Sequence, residues 1–198
     1  MSKWLTPTSP AAPPEATEPV EPARPSWSGP SRPQAGVEAP TLHLPCADLP
    51  LPAGADHWWY GAHGGAGESI LAALDDRGAA AEHRLPITGD PVVVCCRLTM
   101  PGLEAARLLS KAAAAGNLRA ELVGLVAVAG SPKPVRGDLK DFYRIVRGGY
   151  RAWWTVPWIE DFGLTLDPTE VSLPKVVGTV IEQVQACSAQ VATERNSS

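Results

Sequence analysis

Nine residues from Gly61 to Ser69, Gly-Ala-His-Gly-Gly-Ala-Gly-Glu-Ser, carry the densest chemical signal in this chain. Glycines let a backbone take dihedrals that aim successive N–H groups inward, which makes a nest for an anion. A helix that opens directly behind such a loop adds the positive end of its dipole. In a phosphate-binding loop a lysine then supplies a full charge, and a Ser or Thr after it holds Mg²⁺. Gly64, Gly65 and Gly67 are in place around Ala66, and Ser69 stands at the Mg²⁺-ligand position. The lysine position, however, holds Glu68, and the loop opens on His63.

Exchanging an ammonium for a carboxylate turns attraction into repulsion. At ~4 Å and an effective dielectric of ~20, each unit pair is worth roughly 4 kcal/mol. The loss weakens polyphosphate binding by several factors of ten. In the first turn of a helix, a carboxylate is electrostatically favoured. The expectation is that Glu68 fills part of the nest in place of phosphate, with Arg97, at the end of a later strand, as its ion-pair partner.

The elements that must position this loop can be read on either side of it. "HWWYGA" before it is a short aromatic strand, and "ESILAALDDRG" behind it is helical, with Gly78 at a C-terminal cap position. "AAAEHRLPITGD" reads as a connection. "PVVVCCRL" and "ELVGLVAVAG" are near-continuous apolar runs, the pattern of strands covered on both faces. Adjacent Cys95 and Cys96 should then point to opposite faces, as should Trp153 and Trp154 in a fourth strand, "YRAWWTVP". Helices are predicted over 101–116, 137–146 and 172–192, with a polar tail over 193–198. Alternating buried strands and helices predict a small three-layer α/β domain of about four mostly parallel strands over 53–192. Ligands of such sheets sit beyond the carboxyl ends of the strands. Trp158, just past the fourth strand, is placed there to stack on a base if one binds.

Residues 1–52 have a different composition. Of 21 prolines in the chain, 13 fall here, among Ala, Ser, Thr and Glu, which predicts a disordered Pro-rich arm. Its Trp4 and Trp27 are candidate docking residues for a protein partner. The start of the chain has no apolar h-region, and no apolar run is long enough to span a bilayer. The expectation is a cytoplasmic protein without membrane contact. Four cysteines without C-x-x-C spacing, and histidines at 43, 57, 63 and 83 without ligand spacing, spell out no metal site. Ser69, His63 and Asp56 make a triad only on paper, because no G-x-S-x-G elbow supports it.

Arg136, Lys140, Arg144 and Arg147 recur at helical spacing opposite an apolar stripe, and form a candidate face for DNA phosphates. A net charge of −4 argues for an ordinary solvated face, with any DNA contact weak.

The loop "HGGAGES" resembles that of the ParA/MinD-type ATPases, whose pattern is K-G-G-x-G-K-[ST]. "PVVVCCRLTMPGLEAARLL", "LVGLVAVAGSP" and "TVPWIED" are similar to later strand and turn segments of that family, so the resemblance covers about Asp56 to Phe162. The whole chain also resembles an uncharacterised bacterial family found beside plasmid and conjugative-element genes. The first resemblance implies a P-loop-like fold with ATP and Mg²⁺ as cofactors, but both lysines are absent. Only 22 residues separate Ser69 from Val92, where the switch regions and the Mg²⁺ carboxylate belong. No catalytic residue and no cofactor are therefore expected. The expected function is a non-catalytic accessory or partner-binding protein, linked by resemblance to plasmid or mobile-element maintenance. The alternatives are a reduced nucleotide-binding ATPase and a DNA-associated protein using the basic helix.

Overall fold

The apolar runs form strands that hydrogen-bond side by side in one parallel sheet. The structure, a computed structural model, describes residues 34–38, 40 and 44–197. Residues 1–33, with Trp4 and Trp27, and His43 lie outside the described residues. In chain order the elements are β1 (Cys46–Ala47), β2 (His57–Gly61), α1 (Glu68–Leu74), β3 (Gly78–Ala80), β4 (Leu85–Pro86), β5 (Pro91–Arg97), α2 (Met100–Ala114), β6 (Glu121–Val128), α3 (Gly137–Arg147), β7 (Ala152–Val156) and α4 (Lys175–Asn196). Two 3-10 turns, Glu160–Gly163 and Pro168–Glu170, lie in the long connection before α4.

The main sheet has five strands in the order β3-β2-β5-β6-β7, all parallel. Side-chain alternation splits its residues between two cores. Trp58, Tyr60, Val92, Val94 and Cys96 pack beneath α2 and α3, with Leu103, Leu109 and Val146. Trp59, Val93, Cys95, Trp154 and Val156 pack beneath α1 and α4, with Leu71, Val177, Val180 and Val184. This is the expected three-layer α/β arrangement. Cys95 and Cys96 do face opposite sides, and so do Trp153 and Trp154.

Four boundaries differ from the sequence reading, each for a local reason. The sheet has a fifth strand, because β3 pairs with β2 inside the stretch read as a connection. Gly-Ala-Ala has little strand propensity of its own, and pairing with the buried aromatic strand makes it one. Helix α1 stops at Leu74, and Gly78 opens β3 and caps nothing. The Asp75 carboxylate accepts the Arg77 amide at 3.0 Å, the local side-chain bond by which Asp competes with helix continuation. The fold also reaches back before residue 53: Cys46–Ala47 pairs in parallel with Leu85–Pro86, and Leu44, Leu49 and Leu51 pack on the core. Finally, α4 runs on through most of the expected tail. Glu194 there accepts from Arg151 at 2.8 Å, and Arg195 donates to the Gly89 carbonyl at 2.7 Å.

The sheet order fixes where a site can form. β2 connects through α1 to β3 on one side, whereas its neighbour β5 connects through α2 to β6 on the other. Chains leaving in opposite directions open a crevice at the carboxyl ends of these two strands. The glycine loop follows β2 and Arg97 ends β5, so both lie at that crevice.

Candidate functional site

The loop is shaped by two left-handed glycines, Gly65 at φ 74° and Gly67 at φ 99°, and Gly67 is the N-cap of α1. His63 ties it to the next strand. Its Nε2 accepts the Arg97 amide at 3.0 Å, which leaves the proton on Nδ1 to donate to the Gly64 carbonyl at 2.9 Å. Gly102, at the start of α2, makes room for this ring: a Cβ there would stand 2.8 Å from His63 Nε2. Thr99 caps α2 by accepting the Gly102 amide at 3.2 Å.

Glu68 is 5% exposed and does not reach into the nest. Its carboxylate folds under the loop onto Gly61, where an added Cβ would meet Glu68 Cδ at 2.5 Å. Its polar partner is His83, with Nε2 at 3.2 Å from Oε1. The expected pairing with Arg97 is not formed. Arg97 Nε instead donates to the Gly65 carbonyl at 2.9 Å, and its guanidinium lies 5.8 Å from the Trp158 ring centre. The reason is geometric. Gly61 lacks a side chain, so the carboxylate drops into the space beside it, on the Cys95 face of the sheet. Burial, and after it the Glu68 charge, push the Cys95 thiol well above its ordinary range.

His83 arrives there on a strained turn. Glu82 and His83 both have positive φ, 47° and 60°, a conformation that costs non-glycine residues of order 1 kcal/mol or more each. The second ring nitrogen, Nδ1, lies 3.4 Å from the Gly61 carbonyl. Both nitrogens therefore face acceptors, and only the imidazolium form donates to both.

A second histidine–carboxylate cluster lies at the other end of α1. Asp75 Oδ2 is 3.0 Å from His57 Nε2, with both side chains fully buried. Trp59 Nε1 donates to Oδ2 at 2.9 Å, and Gln185 Nε2 of α4 donates to Oδ1 at 2.6 Å. Burial raises the Asp75 pKa, but the His57, Gln185 and Arg77 donors outweigh it and hold the carboxyl at about 2. The His57 Nε2 approach to Oδ2 is close but off the ideal hydrogen-bond angle, so Trp59, Gln185 and the Arg77 amide are the well-aligned donors.

The remaining candidates are placed as follows. Ser69 is exposed on the first turn of α1, and Ala66 is fully buried behind the loop. Trp158 and Arg97 line an apolar pocket beyond the ends of β5, β6 and β7. On α3, Arg136 and Lys140 are exposed, Arg144 lies 3.5 Å from Asp141, and Arg147 stacks 4.1 Å above Trp153. Two of the four basic side chains are thus engaged within the fold. All four cysteines are free, and burial alone pushes Cys96 to about 12, so neither of the adjacent thiols Cys95 and Cys96 is a nucleophile at neutral pH. Among the described residues no group of His, Cys, Asp or Glu is arranged to hold a metal ion, and no helix is long and apolar enough to cross a membrane.

Sequence reasoning weighed His57 and His83 only for metal ligation and passed over Asp75. No spacing announces them, because each meets its partner through strand pairing. The one available signal was two adjacent acids, Asp75 and Asp76, closing an otherwise apolar helix.

Comparison with curated proteins and with solved structures finds no match, so the ParA/MinD resemblance gains no support from either. A family described only as of unknown function does match, over residues 55–181, from just before β2 into α4. The match takes in the whole five-stranded sheet and both histidine–carboxylate pairs, and the chain belongs to this family, DUF6668.

Proposed function

We propose that the chain is a non-catalytic accessory protein that binds a protein partner, built on a P-loop-like frame and working in the bacterial cytoplasm. One observation carries this reading. The residue at the position of a phosphate-binding lysine is a buried carboxylate, folded under the loop against Gly61 and His83. Its negative charge opposes a polyphosphate, and His63 and Arg97 are tied to loop carbonyls. The loop acts as a brace between β2, β5 and α1. Plasmid or mobile-element maintenance is the setting that the sequence resemblance implies.

Thermal melting with ATP or ADP, with and without Mg²⁺, tests this. A ligand at 100 times its Kd stabilises by about 2.7 kcal/mol, which moves a domain of this size by several degrees. We expect no shift with any nucleotide. A Mg²⁺-dependent rise of several degrees would overturn the reading in favour of a reduced ATPase.

A further inference from the structure

The carboxyl ends of β5, β6 and β7 leave a pocket of about 100 Å³ between the glycine loop and the connection that follows β7. Its walls are apolar: Ile70 of α1, Val128 of β6, and Ile159 and Phe162 of the connection face it. Arg97 is the only charged residue among those that line it. This guanidinium is held in place. Nε is fixed by the Gly65 carbonyl at 2.9 Å, and the group lies 5.8 Å from the Trp158 ring centre. Its two terminal amino groups meet no protein acceptor among the described residues. A planar fork with two free donors beside an apolar wall is matched by a carboxylate joined to an apolar tail.

Size narrows the class. The enclosed space is well below the roughly 300–1,000 Å³ that drug-sized and cofactor ligands occupy. A dry cavity of about 150 Å³ holds benzene. A pocket of about 100 Å³ then holds a branched aliphatic group of about four or five carbons. We propose that this pocket binds a small branched-chain monocarboxylate, with the tail among Ile70, Val128, Ile159 and Phe162 and the carboxylate on Arg97. The site goes beyond the accessory role, and it adjoins the glycine loop through Gly67 and Arg97.

The probe is 3-methylbutanoate, titrated into the full-length chain labelled with ¹⁵N and followed by the Trp158 indole and Arg97 Nε–H resonances. Controls are 3-methylbutanamide, which keeps the shape without the charge, and acetate, which keeps the charge without the tail. We expect saturable shifts of both resonances with a Kd on the order of 0.1 mM, at least 10-fold weaker binding of the amide, and none of acetate. Arg97→Gln should weaken 3-methylbutanoate at least 10-fold. Ala129→Leu, which fills the pocket and leaves Arg97 in place, should abolish binding even if the first variant loosens the loop. Equal binding of acid and amide, binding unchanged by Ala129→Leu, or no saturable shift up to 10 mM acid would each overturn the proposal. Because no nucleotide enters these titrations, their failure leaves the non-catalytic reading standing, and the reverse also holds.

Discussion

Helix α1 has a buried carboxylate at each end, Glu68 at its opening and Asp75 just past its close, and a histidine meets each. The two are equally buried, at 5% and 4% exposed, but they are held differently. Asp75 receives donors from β2, from its own turn and from α4, and its histidine is 0% exposed. Glu68 has one polar side-chain partner among the described residues, and that histidine is 50% exposed. The helix dipole favours the first carboxylate and opposes the second. Asp75 therefore needs its many donors, whereas Glu68 is stabilised in part by position. The comparison separates two jobs. Asp75 cross-links three elements of the core, and Glu68 sets the shape of one surface loop. Each carboxylate also leans on a glycine: a Cβ on Gly78 would stand 2.5 Å from Asp75 Oδ2, much as one on Gly61 would crowd Glu68.

The largest expected effect lies at the cross-link. Asp75→Ala removes the acceptor of three aligned donors and leaves the fully buried His57 and Trp59 facing no carboxylate, so chemical denaturation should show a loss of about 3–5 kcal/mol. The same carboxylate gives the fold an acid limit. Its folded pKa of about 2 lies below the ordinary 3.8, so its stabilising contribution is complete above about pH 4 and disappears as pH falls through about 2. The lost increment is about 2 kcal/mol, and Asp75→Asn should flatten that part of the stability–pH curve. If the curve is unchanged in that variant, Asp75 is not the cross-link.

A smaller effect is expected at the loop. Gly61→Ala forces a methyl group against Glu68 and should lower stability by about 1–3 kcal/mol. In a Glu68→Ala background most of that loss should vanish, and a double-mutant cycle in thermal or urea unfolding measures the coupling. Additive losses would mean that Gly61 is needed for some reason other than the carboxylate. The smallest effect is that of Glu68→Gln, which keeps an acceptor for His83 and loses only the charge, at about 1 kcal/mol. If it matched the Asp75→Ala loss, the two ends of α1 would be equivalent and the division of roles would fail.

How much of this was legible in the chain depends on the range of the interaction. Val92, Val93, Val94, Cys95 and Cys96 form an unbroken apolar run that reads as a doubly covered strand, and it is one. The predicted start of α2 at Pro101 falls one residue inside the helix, because proline in a first turn is a local signal. The glycine loop was visible for the same reason, down to the carboxylate at Glu68. Glu68's partner was not. Arg97 was the reasonable electrostatic choice at the neighbouring strand end, but the short β3 brings His83 over Gly61 instead. That strand has almost no propensity signal, so neither it nor the histidine it delivers could be read in advance.

The sequence by itself determined the three-layer α/β architecture, the opposite facing of Cys95 and Cys96 and of Trp153 and Trp154, and the presence of a carboxylate and no lysine in the glycine loop. These follow from periodicity and residue type, which act over a few residues. The tertiary structure alone decided that Asp75 gathers His57, Trp59 and Gln185, the last of them 110 residues away, and that Glu68 turns under its loop to His83. Strand pairing and helix packing set those meetings, and the pattern along the chain does not encode the register that brings distant polar groups together.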